Sequence, residues 1–135
     1  MSSFNLRITS SIGDFYIGQC ESLVIPTIEG EYGILAHHES IVIGICVGEL
    51  RFKVDGEWRN IYVGQGYCRF VENSIYVIVD SAERPEDIDL NRALAAKRRA
   101  EERLSIKMGR REYYKGKLAI SRAMARIKIK EKKFM

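Results

Sequence analysis

The sequence predicts an α+β protein, mainly β, in which an N-terminal β-sandwich (1–84) is followed by a C-terminal antiparallel two-helix hairpin (85–135). Three observations predict it. Apolar residues alternate with polar ones in short runs up to Val79, the period of half-buried strands. Beyond Pro85 the period becomes helical and no further proline occurs. The charge changes sign at the same place: residues 1–84 carry 6 Lys/Arg against 11 Asp/Glu, net −5, and residues 85–135 carry 16 against 7, net +9. Such a split suggests two units with different partners.

The strands follow in order. Phe4, Leu6 and Ile8 alternate, and Ser11-Ile12-Gly13-Asp14 supplies turn chemistry. Leu23 and Ile25 alternate before Pro26. Leu50, Phe52 and Val54 alternate up to Asp55-Gly56, a strong hairpin signal between two such runs, and Trp58 begins the return strand. Gly64-Gln65-Gly66 breaks that strand. After Glu72-Asn73-Ser74 a last run places Ile75, Val77 and Val79 on one face. Many short strands with frequent turns indicate a sandwich or flattened barrel.

Pro85-Glu86-Asp87 signals a helix start, with acids placed to favour a helix N-terminus. Leu90, Ala93, Ala96 or Lys97, Ala100 and Leu104 recur at helical spacing, Gly109 marks the break, and Ile120, Met124 and Ile127 form the narrow apolar face of a second helix that Gly116 weakens slightly. A seam this rich in alanine buries little area. Two polar helices joined by it should depend on a partner or exchange between arrangements.

Composition excludes several classes. No apolar stretch approaches the ~20 residues a membrane-spanning helix needs, and the first residues lack a signal-peptide pattern. The protein is therefore expected in the cytoplasm, or on its side of a membrane. The odd cysteines Cys20, Cys46 and Cys68 match no metal spacing. The adjacent His37 and His38 cannot both face one metal from a regular strand. No nucleophile motif or phosphate loop is present, so neither a catalytic residue nor a metal is expected. A nucleic-acid adaptor acting through the basic tail is the alternative class, although Tyr113 and Tyr114 are adjacent rather than interleaved and no base-reading motif occurs.

The stretch Ile25-Pro26-Thr27-Ile28-Glu29-Gly30-Glu31-Tyr32-Gly33-Ile34-Leu35-Ala36-His37-His38 resembles the signature loop of ATP synthase ε subunits. Gly30, Glu31, Gly33, Ile34 and His38 carry the likeness. Ala36-His37 departs from the family's frequent Pro-Gly. Val47-Gly48-Glu49-Leu50-Arg51 resembles a family strand start, and Ser81-Ala82-Glu83 with Ile88-Asp89-Leu90-Asn91-Arg92-Ala93 resembles the domain junction. The resemblance implies about ten strands, no enzymatic activity of the chain's own, and a place in the rotor of a proton- or sodium-translocating F-type ATP synthase. Partners would be the γ subunit, the c-ring and the α and β subunits, with no nucleic acid, and the membrane would be met only through the ring. Glu31 and His38 would lie at rotor contacts.

Ile88-Asp89-Leu90-Asn91-Arg92-Ala93 also resembles the motif of ε subunits that bind ATP. By that likeness Glu83, Asp89, Arg92, Ala93, Arg99, Arg122 and Arg126 stand at ATP-binding positions, with Lys115 where such members carry Arg. No cofactor is required, and ATP would be a regulatory ligand. Arg92 and Arg99 share one helical face, as do Arg122 and Arg126. Their convergence would suit a triphosphate. The opposing reading is a solvated charged face. Residues 110–133 carry 10 Lys/Arg and 2 Asp/Glu, and the resemblance implies that this basic helix engages an acidic segment of the β subunits and blocks hydrolysis.

Overall fold

Turn chemistry divides the first part of the chain into ten strands: β1 (Phe4–Ser10), β2 (Gly13–Cys20), β3 (Ser22–Thr27), β4 (Gly30–Leu35), β5 (Ile41–Ile45), β6 (Gly48–Val54), β7 (Glu57–Val63), β8 (Gly66–Val71), β9 (Ser74–Val79) and β10 (Ala82–Glu83). This is a computed structural model that describes residues 2–105 and 109–132, and its two compact units divide between Arg84 and Pro85. Asp55 and Gly56 take φ of 51° and 78°, the left-handed pair a two-residue hairpin needs, and Val54 faces Glu57 across them. Glu72 and Asn73 repeat this between β8 and β9 at φ 50° and 57°, without glycine. Asn73 stays there because its amide is tied twice. It donates to Ser3 O at 3.0 Å and accepts from His37 N at 2.7 Å.

Two five-stranded sheets result, in the orders β2-β1-β9-β8-β5 and β10-β7-β6-β3-β4. β1 and β9 pair in parallel, and the remaining pairs are antiparallel. The alternating runs supply the core: Phe4, Leu6, Ile8, Leu23, Ile25, Leu50, Phe52, Ile75, Val77 and Val79 are all buried. Each large side chain buried in this way stabilises by about 1.5–3 kcal/mol. Phe4 and Phe70 meet edge to face, 5.8 Å between centroids.

Pro26 does not end its strand. β3 runs on to Thr27 because its pairing with β6 stops at Val24, so the missing N–H forfeits no ladder bond. The Pro26 carbonyl instead accepts from Cys46 N at 2.9 Å.

In the C-terminal unit, Pro85–Asp87 forms a 3-10 turn, α1 spans Leu90–Leu104 and α2 spans Arg110–Glu131. The helix therefore begins later than the Pro85-Glu86-Asp87 signal suggests. Asp89 is the true cap: it keeps extended dihedrals while its Oδ1 accepts from Arg92 N at 3.0 Å. The helices are antiparallel, since Leu104 near the end of α1 meets Gly116 near the start of α2, and Lys130 Nζ donates to Pro85 O at 3.0 Å. Ala93 and Ala100 from α1, with Gly116, Ala123 and Ile129 from α2, are buried. Gly116 is thus not merely a weak helix residue; it is where the helices approach closely. Lys133, counted in the basic run, lies outside the described residues.

Candidate functional site

The helical hairpin carries a cleft of about 260 Å³ lined by Ala100, Arg103, Glu112, Lys115, Gly116, Leu118, Ala119 and Arg122. Small residues open it and long cationic ones rim it. Arg122 and Lys115 lie seven apart on one face of α2, and Arg103 reaches in from α1. Three cations beside one carboxylate leave the cleft net positive, and guanidinium groups suit bidentate contact with phosphate oxygens.

Of the residues singled out by sequence as nucleotide-binding, the described lining includes Arg122, together with Lys115. Arg92 and Arg99 are exposed on α1, and Arg126 is half-buried on α2. Ala93 is buried in the seam, where it serves packing. Asp89 is exposed and committed to its cap bond. Glu83 sits on β10 opposite Tyr62 of β7. Arg103 and Glu112 were not named by the sequence reading, although the four-residue step from Arg99 to Arg103 is a signal that could have found Arg103.

The second candidate region lies on the sandwich, around Glu31 and His38. Glu31 Oε2 accepts from Arg51 Nη1 at 2.5 Å, and the same nitrogen donates to Glu49 Oε1 at 3.3 Å. Asn60 Nδ2 donates to the other Glu49 oxygen at 3.1 Å. The Arg51 guanidinium is held above its ordinary value, first by the bond to Glu31.

His38 is half-buried, its ring edge-on to Tyr32 at 5.8 Å and to Phe70 at 5.7 Å. Its Nδ1 lies 2.7 Å from Glu39 O, a carbonyl that can only accept, so Nδ1 carries the proton. In the neutral ring Nε2 then accepts from Tyr32 O–H at 2.9 Å. His37, at φ 63°, is exposed. Among the described residues no group of three or more His, Cys, Asp or Glu is placed to hold a metal ion, and no helix is long and apolar enough to cross a membrane.

At the tip of the sandwich, between the β3–β4 turn and β5, a second cleft of about 380 Å³ is lined mainly by apolar residues including Ile28, Tyr32, Ile41 and Ile43. Ile28 itself is 91% exposed.

Residues 3–85 match the family described as ATP synthase, Delta/Epsilon chain, beta-sandwich domain, and residues 86–131 match its long alpha-helix domain. The chain is 39% identical over 127 residues to the ATP synthase epsilon chain of Ruminiclostridium cellulolyticum, covering 94% of this chain and 95% of that one. It is 40% identical over 131 residues to that of Caldicellulosiruptor bescii, covering 97% and 96%. Among solved structures, a chain of the Euglena gracilis mitochondrial ATP synthase superposes with a TM-score of 0.81 at 20% identity, covering 93% of this chain and 79% of that one. A chain of the Tetrahymena thermophila mitochondrial ATP synthase central stalk and c-ring gives 0.69 at 11% identity, covering 93% and 95%. At those identities the structural likeness shows the fold.

Proposed function

Since the chain belongs to the ATP synthase delta/epsilon family, we propose that it is a non-catalytic central-stalk subunit of a proton- or sodium-translocating F-type ATP synthase, at the cytoplasmic face of the membrane. The sandwich couples the γ subunit to the c-ring, with the Glu31 and His38 region at the rotor contacts. The helical hairpin regulates ATP hydrolysis. It closes around ATP when nucleotide is plentiful and, when released, lets basic α2 engage an acidic segment of the β subunits.

The observation that carries this reading is the hairpin's construction. Its buried seam consists of Ala93, Ala100, Gly116 and Ala123 together with the larger Ile129, and each alanine contributes only about 0.8 kcal/mol per buried methyl-sized group, while Arg103, Lys115 and Arg122 crowd one cleft. Weak apolar packing and mutual cationic repulsion make the closed hairpin responsive to an anion. A ligand that binds only the closed form shifts the balance by its differential affinity.

The test is titration of ATP into the isolated chain with a distance probe across α1 and α2, beside hydrolysis by the α, β and γ subunits with and without the chain. ATP-dependent closure together with relief of inhibition is expected. If ATP leaves the helix separation unchanged, the sensing role is wrong. If the chain fails to join the complex, the subunit assignment is wrong.

A further inference from the structure

We propose that Arg51 is a positioning residue that ties the outer half of the β3–β4 hairpin back to β6 and so fixes the direction in which its tip points. Main-chain pairing of β3 with β6 covers only Ser22–Val24, whereas β3 continues to Thr27 and pairs with β4 throughout. The arm from Ile25 to Glu31 therefore projects beyond its ladder to the rest of the sheet. Its tip is stiff: Thr27 Oγ1 donates to Gly30 O at 2.6 Å and accepts from Glu29 N at 3.2 Å. A stiff tip on a short ladder can swing as a body about the Val24–Gly33 pair.

The base of the arm is held by Ile25, buried in the core, and by Tyr32, which packs against the core and bonds His38. Nearer the tip, Cys46 N donates to Pro26 O. On the outer face the tie is Arg51, which shares a cross-strand row with Val24 and Gly33. A Cβ on Gly33 would meet nothing within 4 Å, so the row is open there as Arg51 crosses β3 to reach Glu31, two residues along β4. Glu49, itself held by a bond from Asn60 Nδ2, holds the guanidinium from the other side. Arg51 is 30% exposed and Glu49 19%, against 58% for Glu31, so the anchored end is the better shielded one. One nitrogen, Nη1, serves both carboxylates, which makes the tie a matter of charge at a point rather than of the guanidinium fork.

The consequence for docking rests on the reading that this arm meets the rotor. Amide exchange in the full chain tests the strut without any partner. Arg51→Ala should speed exchange at Glu29–Tyr32 by about two- to fivefold, the range an exposed ion pair supports. Exchange at Ile61 and Val77 should be unchanged. Arg51→Lys should restore slow exchange, because one ammonium can replace one nitrogen. Arg51→Gln should not. Arg7→Ala, which removes the ion pair with Asp14 at 2.9 Å, is the control and should leave the arm unaffected. Wild-type exchange in Arg51→Ala, or full restoration by Arg51→Gln, overturns the proposal. A loosened arm with undiminished affinity for the γ–c-ring rotor would leave the strut standing and remove the rotor contact assigned to the arm.

Discussion

Leu104 of α1 lies against the bare α-carbon of Gly116 in α2: a Cβ there would sit 2.8 Å from Leu104 Cδ2 and 3.3 Å from its Cγ. The clash is with the end of a flexible side chain, so an alanine can be admitted if Leu104 shifts its rotamer. Removing glycine from a helix interior gains about 1 kcal/mol, which offsets that shift. Gly116→Ala should leave the hairpin's thermal unfolding, followed by circular dichroism, close to wild type. Gly116→Ile has no such escape and should cost about 1–3 kcal/mol.

Gly66 presents the opposite case. Its Cβ would lie 1.9 Å from Ile78 O and 2.7 Å from Val79 Cα, both backbone, so relief requires moving β9 itself. Gly66→Ala should destabilise the sandwich by about 2–4 kcal/mol in urea unfolding. Gly64→Ala meets Asp80 Oδ1 at 1.7 Å, a side-chain atom that can rotate away, and should cost less. Gly44→Ala, with open space around it, should cost least. A different order among the three would show that Gly64-Gln65-Gly66 is not held by packing.

These packing demands mark where the sequence was legible. Runs with period-2 burial, Phe4–Ile8, Leu50–Val54 and Ile75–Val79, declare their strands because one face is buried and the other solvated. β2 does not, since Phe15, Tyr16 and Ile17 are consecutive and the strand lies at a sheet edge with little fully buried. β4 is punctuated by Gly30 and Gly33, and β5 reads only as an apolar stretch. The hairpin was visible in its period, but Arg103 facing Arg122 and Lys115 across a cleft depends on the rotation of two helices about their axes. The Arg51 strut depends on cross-strand register. Neither follows from local pattern alone.

Burial pushes the Cys20 and Cys68 thiols up to about 11 from an ordinary 9.0. The fold favours their neutral form, so between pH 9 and 11 the folded chain retains protons that the unfolded chain has released. Stability is then fully present below pH 9 and falls as pH rises toward 11. Denaturant midpoints measured across that range should decline, and replacing both cysteines by alanine should flatten the decline while lowering overall stability. Near neutral pH a small maleimide should label half-buried Cys46 well before the other two.

Arg122 and Arg92 separate the cleft from the solvated face. Arg122 lines the cleft and Arg92 is exposed. If phosphate is held there, Arg122→Ala should weaken ATP binding about ten- to a hundredfold, as loss of a charge-assisted hydrogen bond does. Arg103→Ala and Lys115→Ala should act in the same direction. Arg92→Ala should act more weakly unless nucleotide draws α1 round. Equilibrium dialysis with labelled ATP ranks the four, and equal losses would mean that the bound arrangement differs from the closed hairpin described above.

Asp89 tests whether a family-like motif residue serves the ligand or the helix. Its Oδ1 already accepts from Arg92 N at 3.0 Å, which accounts for an acid at this position without any nucleotide. Asp89→Ala should remove the cap and cost about 1 kcal/mol of helix stability. Asp89→Ser keeps a capping oxygen but no charge, and should leave hairpin unfolding close to wild type. ATP affinity then decides. Affinity retained in Asp89→Ser and lost in Asp89→Ala means that the residue acts by holding α1 in shape. Affinity lost in both, with helicity intact in the serine variant, means that the carboxylate touches the nucleotide as well and gives up part of its cap bond to do so.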